Sequence, residues 1–252
     1  MPYSPTAGLP FDDEELESRL VWIWGSPRSG STWLLRLLAH PLTVDDHAPL
    51  GFHQPPDSPQ ARLLPVNESF LTNHLAPLLQ AHAADLVMSI CRRSRLIFLV
   101  RDGHDVLDSL MHAIGPGGFL FGGRSAFQGS KERSEWVRRN SNNWVGDMKT
   151  IQRAYDAHPP ELRRTVSYEA LREDTAATLG PLAEWLGLRH DAGWLEDAIE
   201  SNAFEGVPKR ERGPTSFFRS ARPGAWKQNL TRKDRRVAEE IMGEKLAELG
   251  YG

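Results

Sequence analysis

Two short stretches of this chain are apolar at almost every position. One is Leu20-Val21-Trp22-Ile23-Trp24; the other is Leu96-Ile97-Phe98-Leu99-Val100, which follows Arg95. A strand with one wet face alternates apolar and polar residues. A continuous run of this length, ending at a glycine or a charged turn, is the pattern of a strand covered on both faces. Thr165-Val166-Ser167-Tyr168 reads as a weaker third strand. Helical spacing of apolar residues follows each strand, over residues 32–39, which stop before Pro41, and over residues 106–113. Further helices are expected over residues 132–155, over 175–186 with Gly187 beyond the end, and over 237–249 with Gly250 beyond the end.

Strands alternating with helices predict an α/β fold: a single domain with a central parallel sheet of the doubly wound kind and helices flanking it. No linker divides the 252 residues, so one domain over 1–252 is expected, with its core over about 20–250 and residues 1–18 loosely ordered. Residues 45–65, rich in proline and histidine, read as a loop. Residues 115–129, rich in glycine and carrying Phe119, Phe121 and Phe127, read as a binding loop or lid. The phenylalanines either close over a ligand or anchor the loop to the core.

Composition narrows the chemistry. A net charge of −3 gives no global attraction to nucleic acid or to an anionic membrane, so any anion site has to be local. Cys91 is the one cysteine, which rules out an internal disulfide and a zinc or iron–sulfur centre built on thiolates, and points to a reducing compartment. The first residues show neither a basic start nor an apolar run, and no run approaches the roughly 20 apolar residues that cross a bilayer. A cytoplasmic protein with no membrane span is therefore expected.

The first strand leads into Gly25-Ser26-Pro27-Arg28-Ser29-Gly30-Ser31-Thr32-Trp33. Glycines on either side of a four-residue insert allow a tight wrap with N–H groups pointing inward, and the helix behind it offers its N-terminus to an anion. This is a P-loop-like phosphate-binding loop with one difference. A nucleoside triphosphatase has lysine where Ser31 stands. Without it the loop suits a 5′-phosphate better than a triphosphate, and the nearby cation is Arg28, inside the loop. The plainer reading is a sharp strand–turn–helix corner.

The second strand ends in Arg101-Asp102-Gly103-His104-Asp105-Val106-Leu107-Asp108-Ser109. Arg101 falls at the carboxyl end of a central strand, where open α/β sheets bind ligands, and Ser109 lies two helical turns further on in reach of the same crevice. The planar guanidinium matches phosphate through two parallel charge-assisted bonds. The plainer reading pairs Arg101 with Asp102 or Asp105.

Together these two stretches resemble the sulfotransferase family. Pro27-Arg28-Ser29-Gly30-Ser31-Thr32-Trp33 is similar to that family's 5′-phosphosulfate loop, and residues 101–109 resemble its 3′-phosphate motif. Ser167-Tyr168-Glu169-Ala170-Leu171 looks like its Tyr-Glu-x-Leu segment. Phe217-Phe218-Arg219-Ser220-Ala221-Arg222-Pro223-Gly224-Ala225-Trp226-Lys227 resembles its C-terminal Arg-Lys-Gly-x-x-Gly-x-Trp-Lys segment. The four motifs run in the family's order over residues 20–230. Three departures stand out: Arg28 where cytosolic members have lysine, Ser220-Ala221 where they have Lys-Gly, and no Lys-Thr-His segment before the second strand.

The resemblance implies in-line transfer of a sulfuryl group from 3′-phosphoadenosine 5′-phosphosulfate (PAPS) to a hydroxyl or amine, leaving 3′-phosphoadenosine 5′-phosphate (PAP), with no metal required. It assigns Arg28 and the loop amides to the bridging oxygen, and Ser29, Gly30, Ser31 and Thr32 to the 5′-phosphate. Trp33 and Tyr168 go to the adenine end. Arg101, Ser109 and Arg219 go to the 3′-phosphate, with Phe218, Ser220 and Arg222 in the same donor-contacting segment.

The acceptor needs a base, for which Glu68 and His74 compete, Glu68 slightly ahead. Glu68 otherwise reads as a cap on a helix after it, and His74 as an ordinary surface or packed histidine. The acceptor is a small molecule, a glycan or a lipid; nucleic acid is not expected as a partner, and a homodimer is compatible with the family. Two rivals remain at this point. One is a non-catalytic protein that keeps the 3′,5′-bisphosphate site, the other a P-loop-type kinase.

Overall fold

The computed structural model describes residues 17–18, 20–38, 40, 64–66, 69–72, 84–115, 127–188, 192–203 and 222–252. In chain order the elements are β1 (Leu20–Trp24), α1 (Ser31–Leu38), β2 (Leu64–Val66), β3 (Ser69–Thr72), α2 (Ala84–Ile90), β4 (Arg95–Val100) and α3 (Gly103–Ile114). They continue as α4 (Ser130–Ala157), β5 (Arg163–Ser167), α5 (Tyr168–Glu173), α6 (Thr175–Leu186), α7 (Trp194–Ser201), α8 (Trp226–Asn229) and α9 (Arg232–Glu248).

The sheet order is β2-β3-β1-β4-β5. Strands β3, β1, β4 and β5 are parallel, and β2 runs antiparallel to β3 at the edge. The two apolar runs are β1 and β4, side by side at the centre, with Val21 opposite Arg95 and Trp24 opposite Phe98.

Their side chains alternate between two cores. Trp22, Trp24, Leu96, Phe98 and Val100 face one, closed by α2, α3, α4 and α9. Val21, Ile23, Ile97 and Leu99 face the other, closed by α1, α5, α6 and α7. Polarity cannot set the register of strands that are apolar on both sides. Size does: the indoles and Phe98 lie on one face, with Leu96 and Val100, while the other face carries aliphatic residues alone, so a one-residue slip would drive tryptophan into space shaped for smaller side chains.

Because α1 packs on one face and α3 on the other, the chain leaves β1 and β4 in opposite directions. That opens a crevice at the carboxyl ends of these two strands, the usual ligand position in an open α/β sheet.

Several boundaries differ from expectation, each for a local reason. Helix α3 starts at Gly103 because Asp102 caps it, its carboxylate accepting from the His104 N–H at 2.8 Å. Tyr168 opens α5 and does not close a strand, since the Ser167 hydroxyl caps the helix through Ala170 N–H. Helix α6 has the expected bounds, capped by Asp174 and ended by Gly187 at φ +70°. The alternative reading of Glu68 put a helix after it, but the chain there forms β3, and Leu64 and Pro65, read as loop, belong to β2. The stretch Ser69–Thr72 is a strand because its backbone pairs with the open edge of β1, a partner fifty positions away that no local pattern reveals.

Helix α9 begins at Arg232, five residues before the expected start, through a capping box: Thr231 accepts from Asp234 N–H, and Asp234 accepts from Thr231 N–H. The same Asp234 carboxylate receives Arg133 of α4 at 2.7 and 2.8 Å and is 1% exposed, which staples α9 to α4. Burial opposes its ionisation, but the hydrogen bonds from Arg133 and Thr231 outweigh it and hold the carboxyl below its ordinary value. A depressed carboxyl contributes stability at pH above its unfolded value, about 3.9, which is lost as pH falls through the lower folded value. Stability measured by urea unfolding is therefore expected to fall less on acidification below about pH 4 in Asp234→Ala than in the wild type. Parallel curves would mean that Asp234 titrates alike in both states.

Candidate functional site

Three strand ends converge in the crevice: Trp24 of β1, Val100 of β4 and Ser167 of β5. The turn after β1 is tight. Gly25 runs so close to β4 that a Cβ there would stand 2.6 Å from the Leu99 carbonyl oxygen. Ser29 N–H closes the turn on the Ser26 carbonyl at 3.1 Å, and the two buried hydroxyls of Ser26 and Ser29 meet at 3.1 Å. Arg28 sits at φ +73° and Gly30 at φ +98°. Among the described residues Arg28 is the one non-glycine with positive φ, a conformation that costs an L-residue roughly 1–2 kcal/mol. The turn feeds Ser31 at the start of α1, whose first N–H groups have no intrahelical acceptor and lie at the positive end of the helix.

The carbonyl of Arg28 accepts from Arg101 Nη1 at 2.9 Å, and its own Nε donates to the Ser109 hydroxyl of α3 at 3.1 Å. Arg101 lies over the Tyr168 ring at 4.1 Å. Tyr168 in turn presses on the loop so closely that a Cβ on Gly30 would fall 2.4 Å from its ring. Trp33 meets Tyr168 edge-on at 5.9 Å, donates from its indole to the Asn202 carbonyl at 3.1 Å, and carries Arg172 over its face at 5.2 Å. Burial raises the Tyr168 phenol above its ordinary value against the pull of Arg101 and Arg172, so it stays neutral.

Of the residues singled out from the sequence, Arg28, Ser29, Gly30, Ser31, Thr32, Trp33, Arg101, Ser109 and Tyr168 thus gather at the carboxyl ends of the sheet's parallel strands. Ser29 turns its hydroxyl inward, into the turn. Arg222 is exposed. Glu68, His74, Phe218, Arg219 and Ser220 lie outside the described residues, as do Phe119 and Phe121. Phe127 packs edge-on to Trp136 at 6.1 Å beneath Arg133, the anchoring arrangement.

A second set of residues was not foreseen. Asp102, Asp105 and Asp108 recur at a spacing of three, which puts them on one face of the α3 N-terminal half. They bind the segment after residue 222: Asp102 accepts from the Trp226 indole at 2.9 Å, Asp105 from Gly224 N–H at 2.6 Å and Trp226 N–H at 3.3 Å, and Asp108 from Asn229 at 3.0 Å. Burial disfavours ionisation of Asp102, yet hydrogen bonds from His104 and Trp226 keep its carboxyl below the ordinary value. Burial dominates at Asp105 and raises it, in spite of the Gly224 and Trp226 N–H groups and the charge of Arg101.

His104 stacks on Trp226 at 4.4 Å, with its ring nitrogens 3.1 Å from Asp102 and 3.4 Å from Glu239. Glu169 ties the other side, accepting from Asp102 N–H at 3.0 Å, the Ser167 hydroxyl at 3.0 Å and the Tyr251 hydroxyl at 2.6 Å. The triplet spacing of the aspartates was the available signal, but their partners lie about 120 positions downstream.

The arrangement fits an anionic ligand carrying an aromatic ring. It offers a helix N-terminus behind a tight loop, two arginines, an aromatic corner from Trp33 and Tyr168, and a buried Arg101 Nε with no hydrogen-bond partner among the described residues.

The family model described as "Sulfotransferase domain" matches residues 18–250. No curated protein sequence matches the chain. Among solved structures the fold is similar to a mouse sulfotransferase, SULT7A1, complexed with PAP, at 14% identity and a TM-score of 0.62, covering 96% of this chain and 90% of that one. It is also similar to retinol dehydratase in complex with androsterone and inactive cofactor PAP, at 16% identity and a TM-score of 0.58, covering 91% and 81%. A third is the sulfotransferase domain from the curacin biosynthetic pathway, at 16% identity and a TM-score of 0.51, covering 92% and 97%.

The left-handed Arg28 has a measurable consequence. Glycine adopts this conformation freely and alanine does not, so Arg28→Gly is expected to be more stable than Arg28→Ala by about 1 kcal/mol in thermal or urea unfolding. Alanine equal to or better than glycine would show that residue 28 is not left-handed in solution.

Proposed function

This chain belongs to the sulfotransferase domain family, and from that premise we propose that it moves a sulfuryl group from PAPS to a hydroxyl or amine of a small-molecule, glycan or lipid acceptor. The observation that carries the reading is the meeting of Arg28, Ser109, Arg101 and Tyr168 at the mouth of the β1–α1 loop. Cations there match the two phosphates of the donor, and aromatic rings match its purine. Two of the similar structures are of PAP complexes, one also holding androsterone, which agrees with a nucleotide donor and a hydrophobic acceptor. Ser31 in place of a Walker lysine speaks against a triphosphate-dependent kinase.

In this reading PAPS supplies the sulfuryl group. The loop N–H groups and the α1 N-terminus hold the 5′-phosphate through Ser29, Gly30, Ser31 and Thr32. Arg28, aimed across the loop mouth, neutralises charge on the oxygen that separates from sulfur, where a preorganised cation contributes most. Trp33 and Tyr168 flank the purine. Arg101, Ser109 and Arg219 hold the 3′-phosphate, aided by Phe218, Ser220 and Arg222. A sulfonate carries less charge than a terminal phosphate, so the transfer proceeds without a metal ion. A carboxylate or imidazole near the acceptor takes its proton, Glu68 ahead of His74. The single cysteine agrees with a reducing, cytoplasmic location; among the described residues no helix is long and apolar enough to cross a membrane.

Calorimetric titration with PAP, 5′-adenylate and ATP, all without magnesium, tests the donor. A tenfold or greater preference for PAP, about 1.4 kcal/mol, is expected; no preference, or tight ATP binding that needs magnesium, would return the kinase to the front. Binding of PAP without turnover of any acceptor would favour the non-catalytic reading.

Once an acceptor is found, Glu68→Gln is expected to lower kcat by about 10²–10⁴-fold with little change in donor affinity, and His74→Gln to do much less. The reverse order would make His74 the base.

A further inference from the structure

Arg101 is read from the sequence as a ligand for the 3′-phosphate, yet its guanidinium already has a partner inside the protein. Nη1 donates to the carbonyl of Arg28 at 2.9 Å. The cation rests on the Tyr168 ring at 4.1 Å, and that ring abuts Gly30, where a Cβ would come within 2.4 Å of it. Arg28 itself holds a left-handed backbone, and its side chain is drawn toward Ser109. Strained residues of this kind persist when their surroundings over-determine them. Here the backbone of residue 28 is fixed by one bond from the end of β4 and its side chain by one from α3.

We propose that Arg101 is a positioning residue for Arg28: it holds the Arg28 carbonyl, keeps residue 28 left-handed, and so sets the shape of the phosphate loop before any ligand arrives. The inference rests on the proposed function only for its catalytic consequence. One guanidinium then serves both ends of the donor, so that recognition of the 3′-phosphate and presentation of Arg28 at the 5′ end are linked. Lysine at position 101 keeps the charge but loses the planar fork, and with it the combination of carbonyl bond and flat stacking on Tyr168.

The test separates this role from simple phosphate binding. Amide hydrogen exchange is measured on ligand-free wild type and Arg101→Lys, with Arg101→Gln as a second variant should lysine impair folding. Exchange over residues 26–34, where Ser29 N–H closes the turn on Ser26 and Trp33 and Leu34 N–H bond the Gly30 carbonyl, is expected to speed up tenfold or more. Exchange within the β1 and β4 interior stays as in the wild type and reports that the variant is folded. Unchanged protection over residues 26–34 overturns the proposal, and no ligand is needed to see it.

The second readout is transfer from adenosine 5′-phosphosulfate, which lacks the 3′-phosphate. A positioning role predicts that Arg101→Lys slows this transfer at least tenfold, chiefly in kcat, whereas a residue that only binds the 3′-phosphate would leave it untouched, and that result too overturns the proposal. If the wild type transfers from neither this donor nor PAPS, it is the functional reading that fails, and the exchange experiment alone decides the role of Arg101.

Discussion

The turn between β1 and α1 has to hold two left-handed residues, Arg28 and Gly30, within three positions. Much of the architecture can be understood as what makes that possible. Glycine satisfies the second position without cost and leaves room for the Tyr168 ring. The first carries a long cationic side chain, so the conformation has to be held from outside, by Arg101 on the carbonyl and Ser109 on the guanidinium. Those two residues come from the end of β4 and from the helix that follows it. The central parallel pair β1–β4 is therefore the frame on which the site depends, and the size-sorted packing of its two faces fixes the register that aligns the strand ends.

Around this frame the carboxylates act as ties. Asp102, Asp105 and Asp108 fasten the segment from Gly224 to Asn229 along α3, while Glu169 joins the ends of β4 and β5 to Tyr251, next to the last residue of the chain. Each carboxylate is partly or fully buried and accepts from N–H or O–H donors, which offsets the cost of burying a polar group. The chain's last elements are thereby locked to the strand ends that form the crevice, and residues separated by about 120 positions share one network. A crevice whose walls come from distant parts of the chain has to be closed by bonds between them.

The core strands were legible because β1 and β4 are apolar throughout, a pattern that only burial on both faces explains. The tight turn after β1 was legible from its glycine spacing, and the end of α6 from Gly187. Helix ends were less so, since α3 and α9 start early on caps, Asp102 and the Thr231–Asp234 box, whose apolar periods begin only later. Strand β3 was not foreseen because a four-residue stretch carries too little period to tell strand from helix, and its identity comes from the vacant edge of β1. The indole of Trp226 and the Glu239 carboxylate beside His104 come from distant parts of the chain and could not be read from its place in the turn.

Short-range patterns in the sequence carry the fold class, the position of the tight β1–α1 loop and the residue types gathered around it: runs of apolar residues, glycine spacing and an arginine closing a strand. Only the tertiary structure decided what those residues do to one another. That Arg101 grips the Arg28 carbonyl, that Ser109 receives the Arg28 side chain, and that three aspartates clasp a segment far down the chain are matters of distances between strand ends and helix faces. Such distances are set by which strands lie side by side and which face each helix covers, and no local pattern in the sequence carries that information.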